Sequence, residues 1–82
     1  MAKFKLTLTV GAEADLLAIP FPERRQVNQQ IPKLADDPRP DGYETVGTAG
    51  SCALVLYGYE VLYSIDDDAS LVTVVAILPA AL

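Results

Sequence analysis

The 82-residue chain contains no histidine, which removes the commonest general base and the commonest metal ligand. Every Ser–His or Cys–His nucleophile pair goes with it. Asp66, Asp67 and Asp68 form the densest set of oxygen ligands. A calcium loop needs ligands at alternate positions and a distal Glu, so three consecutive Asp read as a solvated turn. Gly47 and Gly50 flank a short loop without the Lys–Ser/Thr that closes a phosphate-binding loop, and read as turn glycines. Neither a metal nor a cofactor is expected. Cys52, the one cysteine, lies in an apolar run and reads as a buried thiol. Tyr57, Tyr59 and Tyr63 have rings that could stack on bases, but aromatic residues in strands usually pack. Arg24, Arg25 and Lys33 make a basic cluster that reads as a solvated helix face paired with Glu23. Its other use would be docking an acidic partner segment.

These residues must be placed by the elements around them. Phe4, Leu6, Leu8 and Val10 alternate with polar neighbours, which predicts a strand with one wet face ended by Gly11. Ala12 to Ile19 holds helix formers with acids in the first turn, and Pro20 stops it. A second helix is predicted from Pro22, with Val27, Ile31 and Leu34 on one face. Pro32 lies inside that pattern and predicts a kink or a helix starting afresh, because it cannot donate to the carbonyl of Asn28. Asp36 to Gly42 is dense in turn residues and predicts a surface connection. Strands are then predicted over Tyr43–Val46, Ser51–Tyr57, Tyr59–Ile65 and Leu71–Leu78. Short Gly- or Asp-containing turns at Gly47–Gly50, Gly58 and Asp66–Ala69 separate them. The order is β-α-α-β-β-β-β, an α+β class.

With 51% apolar and 21% charged residues the composition is that of a folded globule, expected to form a single domain over residues 1–82. Eleven acidic against six basic residues give a net charge of −5, and no Lys or Arg follows Arg39. That half of the chain repels phosphate, which argues against nucleic acid as a partner. The N-terminus lacks the continuous apolar block of a secretory signal. The apolar stretch from Leu71 to Leu82 is interrupted by Thr73 and Pro79 and is too short to span a bilayer. A cytoplasmic protein without membrane contact is expected.

Two segments carry a resemblance: Leu34 to Gly42, reading Leu-Ala-Asp-Asp-Pro-Arg-Pro-Asp-Gly, and Gly58 to Asp67, reading Gly-Tyr-Glu-Val-Leu-Tyr-Ser-Ile-Asp-Asp. With the element order around them, the chain resembles the RelE/ParE superfamily of toxin components of toxin–antitoxin modules over nearly its whole length. The resemblance implies a helical hairpin on one face of a mostly antiparallel twisted sheet. It also implies antitoxin segments that wrap the domain. Members that cleave messenger RNA usually place Arg on the two middle strands and His, Arg or Tyr near the C-terminus, where cations stabilise developing phosphorane charge. By alignment through Tyr59 and Tyr63, the Arg positions hold Ala53, Val55 and Glu60 here, and the chain closes Ile77-Leu78-Pro79-Ala80-Ala81-Leu82 with no titratable side chain. The family's catalytic residues therefore transfer to no position. Glu in place of Arg reverses the sign of any phosphate interaction.

Strand parity locates the altered site. Tyr59, Val61, Tyr63 and Ile65 share one face, the expected core face, and Glu60, Leu62 and Ser64 share the other. Ala53, Val55 and Tyr57 fall on the side of Glu60 and Leu62. The expected binding surface is therefore Ala53, Val55, Tyr57, Glu60 and Leu62, apolar and slightly acidic, with Arg24 and Arg25 as a second contact region. Two helices can cover one sheet face only, so this face is shielded by the C-terminal tail, an antitoxin-like protein segment or a second copy of the chain. Protein binding without ribonuclease activity is the expected function. An active toxin, either a ribosome-dependent messenger endoribonuclease or a gyrase inhibitor with an atypical residue set, is the alternative.

Overall fold

Thr9 decides where the first strand ends. In the computed structural model, which describes residues 3–47 and 50–80, its Oγ1 accepts the N–H of Ala12 at 3.1 Å. A capping hydroxyl of this kind satisfies one orphan donor of a first turn. Strand β1 (Lys5–Leu8) therefore stops before Thr9, and helix α1 (Val10–Ala18) begins two residues earlier than the alternation suggests. Gly11 lies inside the helix, and Val10 is turned out to solvent at 84% exposure instead of joining the strand's apolar face. Pro20 ends α1 as expected. Helix α2 (Glu23–Gln30) follows, and Pro32 caps a separate single turn, α3 (Lys33–Asp36). Val27, Ile31 and Leu34 are all buried against the sheet.

The remaining strands are β2 (Glu44–Thr45), β3 (Ser51–Leu56), β4 (Tyr59–Asp66) and β5 (Leu71–Pro79). They form one sheet in the order β1-β5-β4-β3-β2, parallel between β1 and β5 and antiparallel elsewhere. Thr48 and Ala49 of the first hairpin turn, and Ala81 and Leu82 of the C-terminal tail, lie outside the described residues. Tyr57 and Gly58 have φ of 51° and 83° and form the two-residue β3–β4 turn, so Tyr57 belongs to the turn and not to the strand.

The core lies between the helices and one sheet face, with Val61, Tyr63, Ile65, Cys52, Val72, Val74 and Ile77 buried there. Strict alternation fails in β5. Leu62 pairs with Ala76 but Tyr63 pairs with Val74, leaving Val75 as the extra residue of a bulge. The core positions change from Val72 and Val74 to Ile77 across it. Beyond Val74, β5 has no strand on its β1 side. Asp15 of α1 accepts the N–H of Ile77 at 3.0 Å, and Thr9 donates to the carbonyl of Val75 at 3.2 Å. Helix side chains thus satisfy backbone groups that β1 does not reach.

Candidate functional site

The connection between α3 and β2 is fixed to the sheet by two contacts. Tyr63 donates its hydroxyl to the carbonyl of Pro38 at 2.7 Å in the core, and Arg39 forks onto Asp67 at 3.3 and 2.9 Å. The guanidinium holds the Asp67 carboxyl below its ordinary range, and the carboxylate in turn raises Arg39. Burial pushes the Tyr63 phenol well above its usual value. Asp66 accepts the N–H of Ala69 at 3.0 Å. The acidic turn is therefore structural at Asp66 and Asp67. Pro38 is buried, so the connection runs along the surface but is anchored from beneath.

The sheet face away from the helices is the candidate site. Ala53 lies opposite Leu62, and Val55 opposite Glu60, so four of the sequence-expected residues form adjacent cross-strand pairs. On the other side Leu62 meets Ala76 and Glu60 meets Leu78. Val55 is 57% exposed, and Val46, Val75 and Leu78 each expose more than two-fifths of their surface. A shallow depression of about 350 Å³ lies among Val46, Ser51, Leu62, Ser64 and Val75. Ala53, flanked by Glu44 of β2 and Leu62 of β4, is itself buried at 5% exposure. Tyr57 is half exposed at the end of this face.

Arg24 and Arg25 are not brought to this surface. They sit on α2, which packs on the opposite side of the sheet. Arg24 stacks over Phe21 at 5.7 Å and donates to the carbonyl of Leu17 at 3.2 Å, and the expected pairing with Glu23 does not form. Among the described residues, Arg39–Asp67 is the one ion pair. Among them, too, no group of three His, Cys, Asp or Glu is arranged to hold a metal. Among the described residues no helix is long and apolar enough to cross a membrane. Cys52 is buried, and desolvation raises its thiol.

No family model and no curated protein matches the chain. Solved structures do. The RelBE2 toxin–antitoxin complex of Mycobacterium tuberculosis superposes with a TM-score of 0.83 at 21% identity, covering 95% of this chain and 99% of that one. The RelE–RelB complex of Pyrococcus horikoshii gives 0.82 at 16% identity, covering 94% of both. The chain has the RelE/ParE fold. The chromosomal ParDE toxin–antitoxin system of Pseudomonas aeruginosa has the same fold, with a TM-score of 0.76 at 16% identity, covering 96% of this chain and 98% of that one.

Within the RelE/ParE fold, Ala53, Val55 and Glu60, where the resemblance expects arginines, lie side by side on the uncovered face. Strands β2 to β5 carry no Lys or Arg, and Lys5 on the far edge strand is the nearest cation in the sheet. The cations that would neutralise a developing phosphorane are thus missing from these four strands. The face offers apolar area and two carboxylates, Glu44 and Glu60. Sequence reasoning missed a second feature, a groove of about 610 Å³ between α2–α3 and the edge of β3. Its acids were legible in the Asp36–Gly42 segment, but its existence depends on how short β2 is.

Proposed function

We propose that this chain acts by binding a protein, with an antitoxin-like segment laid on the uncovered sheet face, and does not cleave RNA. One observation carries the reading. The face on which the fold's arginines are expected is apolar, exposed and free of cations across β2 to β5. Water-exposed Val46, Val55, Val75 and Leu78 gain from being covered, and a face bearing Glu44 and Glu60 repels a phosphate backbone. The neighbours from Mycobacterium tuberculosis and Pseudomonas aeruginosa are toxin–antitoxin systems, which supports a partner of the antitoxin kind. Inducing the chain alone in a bacterial host tests this. Unimpaired growth with intact messenger is expected. Growth arrest with messenger cleavage would overturn the reading, and arrest without cleavage would move it to a gyrase-type target.

A further inference from the structure

The edge of β3 is only half covered. The carbonyl of Ser51 accepts the N–H of Val46 at 2.9 Å, so Ser51, Ala53 and Val55 direct their backbone groups towards β2 and away from β4. Glu44 lies opposite Ala53. On the β2 side no strand residue among those described lies opposite Val55, because Gly42 has φ +92° and the Tyr43 N–H turns back to the carbonyl of Pro40 at 3.1 Å. Among the described residues, nothing pairs with the amide and carbonyl of Val55 on this edge, the arrangement that accepts an added strand.

Beside this edge runs the 610 Å³ groove. Leu34, Leu54 and Leu56 line it, and Asp36, Asp37 and Asp41 stand around it with Lys33 as the single cation. Arg39, the nearest other cation in sequence, is occupied by Asp67. We infer that this edge and groove take an extended basic segment of a partner protein, which adds a strand beside Val55 in line with β2. Its apolar side chains cover the partly exposed Leu54 and Leu56, and its Lys or Arg residues meet the three Asp. A second copy of the chain is the poorer occupant, since edge-to-edge pairing would bring two sets of the same carboxylates together. The inference rests on the reading of the chain as a protein-binding module, but uses a different surface from the uncovered face.

The test titrates the full chain, labelled with ¹⁵N, with a capped peptide of about eight alternating Val and Lys residues, a typical strand length. A Val/Glu peptide is the control. Saturable shifts at Leu54–Leu56 and Lys33–Asp37 are expected with the lysine peptide alone, weakened by salt. Exchange of the Val55 amide, fast in the free chain, should slow by about tenfold or more. Val55→Pro removes the outward N–H at an edge position that tolerates proline, and should abolish binding with the fold intact. Should that variant not fold, Asp36→Lys with Asp41→Lys should weaken binding by about tenfold or more. Equal binding of both peptides, no binding, shifts confined to Leu62 and Val75, or a Val55 amide already protected in the free chain would each overturn the inference. Messenger cleavage in the induction experiment would instead remove the binding-module reading itself.

Discussion

Tyr63 and Arg39 show how single side chains tie the most recognisable stretch of sequence to the sheet. Tyr63 is 1% exposed and its hydroxyl has the Pro38 carbonyl as partner. Tyr63→Phe strands that buried acceptor, so a loss of about 1–2 kcal/mol in denaturant titrations is expected. The phenol's raised folded-state pKa makes this contribution full below the unfolded value near 10 and lost as pH rises towards the folded one. Arg39–Asp67 behaves oppositely. Its carboxylate is depressed in the fold, so its contribution is present above the ordinary carboxyl range and lost as pH falls through the folded value. Both groups are exposed, so salt should weaken the pair. Asp67→Asn should flatten the acid limb of a stability-against-pH curve and leave the alkaline limb, set by Tyr63, in place.

At the scale of elements, the bulge in β5 is the feature that alternation could not foresee. In β3 and β4 a strict period of two placed Cys52, Leu54, Val61, Tyr63 and Ile65 towards the core, and the fold agrees. In β5 the extra residue Val75 changes the parity, and every residue of that strand is apolar apart from Thr73, so no pattern marks the shift. The same limit applies at β1 and α1. Val10 fits a strand by hydrophobicity, yet the hydroxyl of Thr9 starts a helix there. The bulge also gives Asp15 its task, which is to accept the N–H of Ile77 where no β1 residue can. Asp15→Ala should cost about 1.5–3 kcal/mol, the range for a charged hydrogen bond, with Asp15→Asn intermediate. Thermal or denaturant unfolding would read this. An Asp15→Ala chain as stable as the parent would mean that water replaces the carboxylate at the β5 edge.

For the whole molecule, the two sides of the sheet obey different rules. The helix side is closed by Val27, Ile31 and Leu34, and Cys52 beneath them should react with a thiol reagent only when the chain unfolds. The far side holds Val46, Val55, Val75 and Leu78 in water. The β3 and β4 part of that face was legible from parity because those strands alternate, whereas the side taken by Val75 and Leu78 was not, because the bulge resets β5. The groove beside β3 was not, since it exists only where Gly42 turns the chain away and leaves β2 two residues long. Exposure of the far face makes a prediction about association. At low salt Glu44 and Glu60 and the net charge of −5 hold copies apart. Sulfate screens that repulsion and strengthens apolar burial together, so sedimentation should show weak self-association rising with sulfate. Val75→Lys replaces an exposed bulge residue without touching the core, and should abolish the association with the melting temperature unchanged. Self-association that persists in Val75→Lys would place the contact elsewhere, and the open edge of β3 would be the next surface to block.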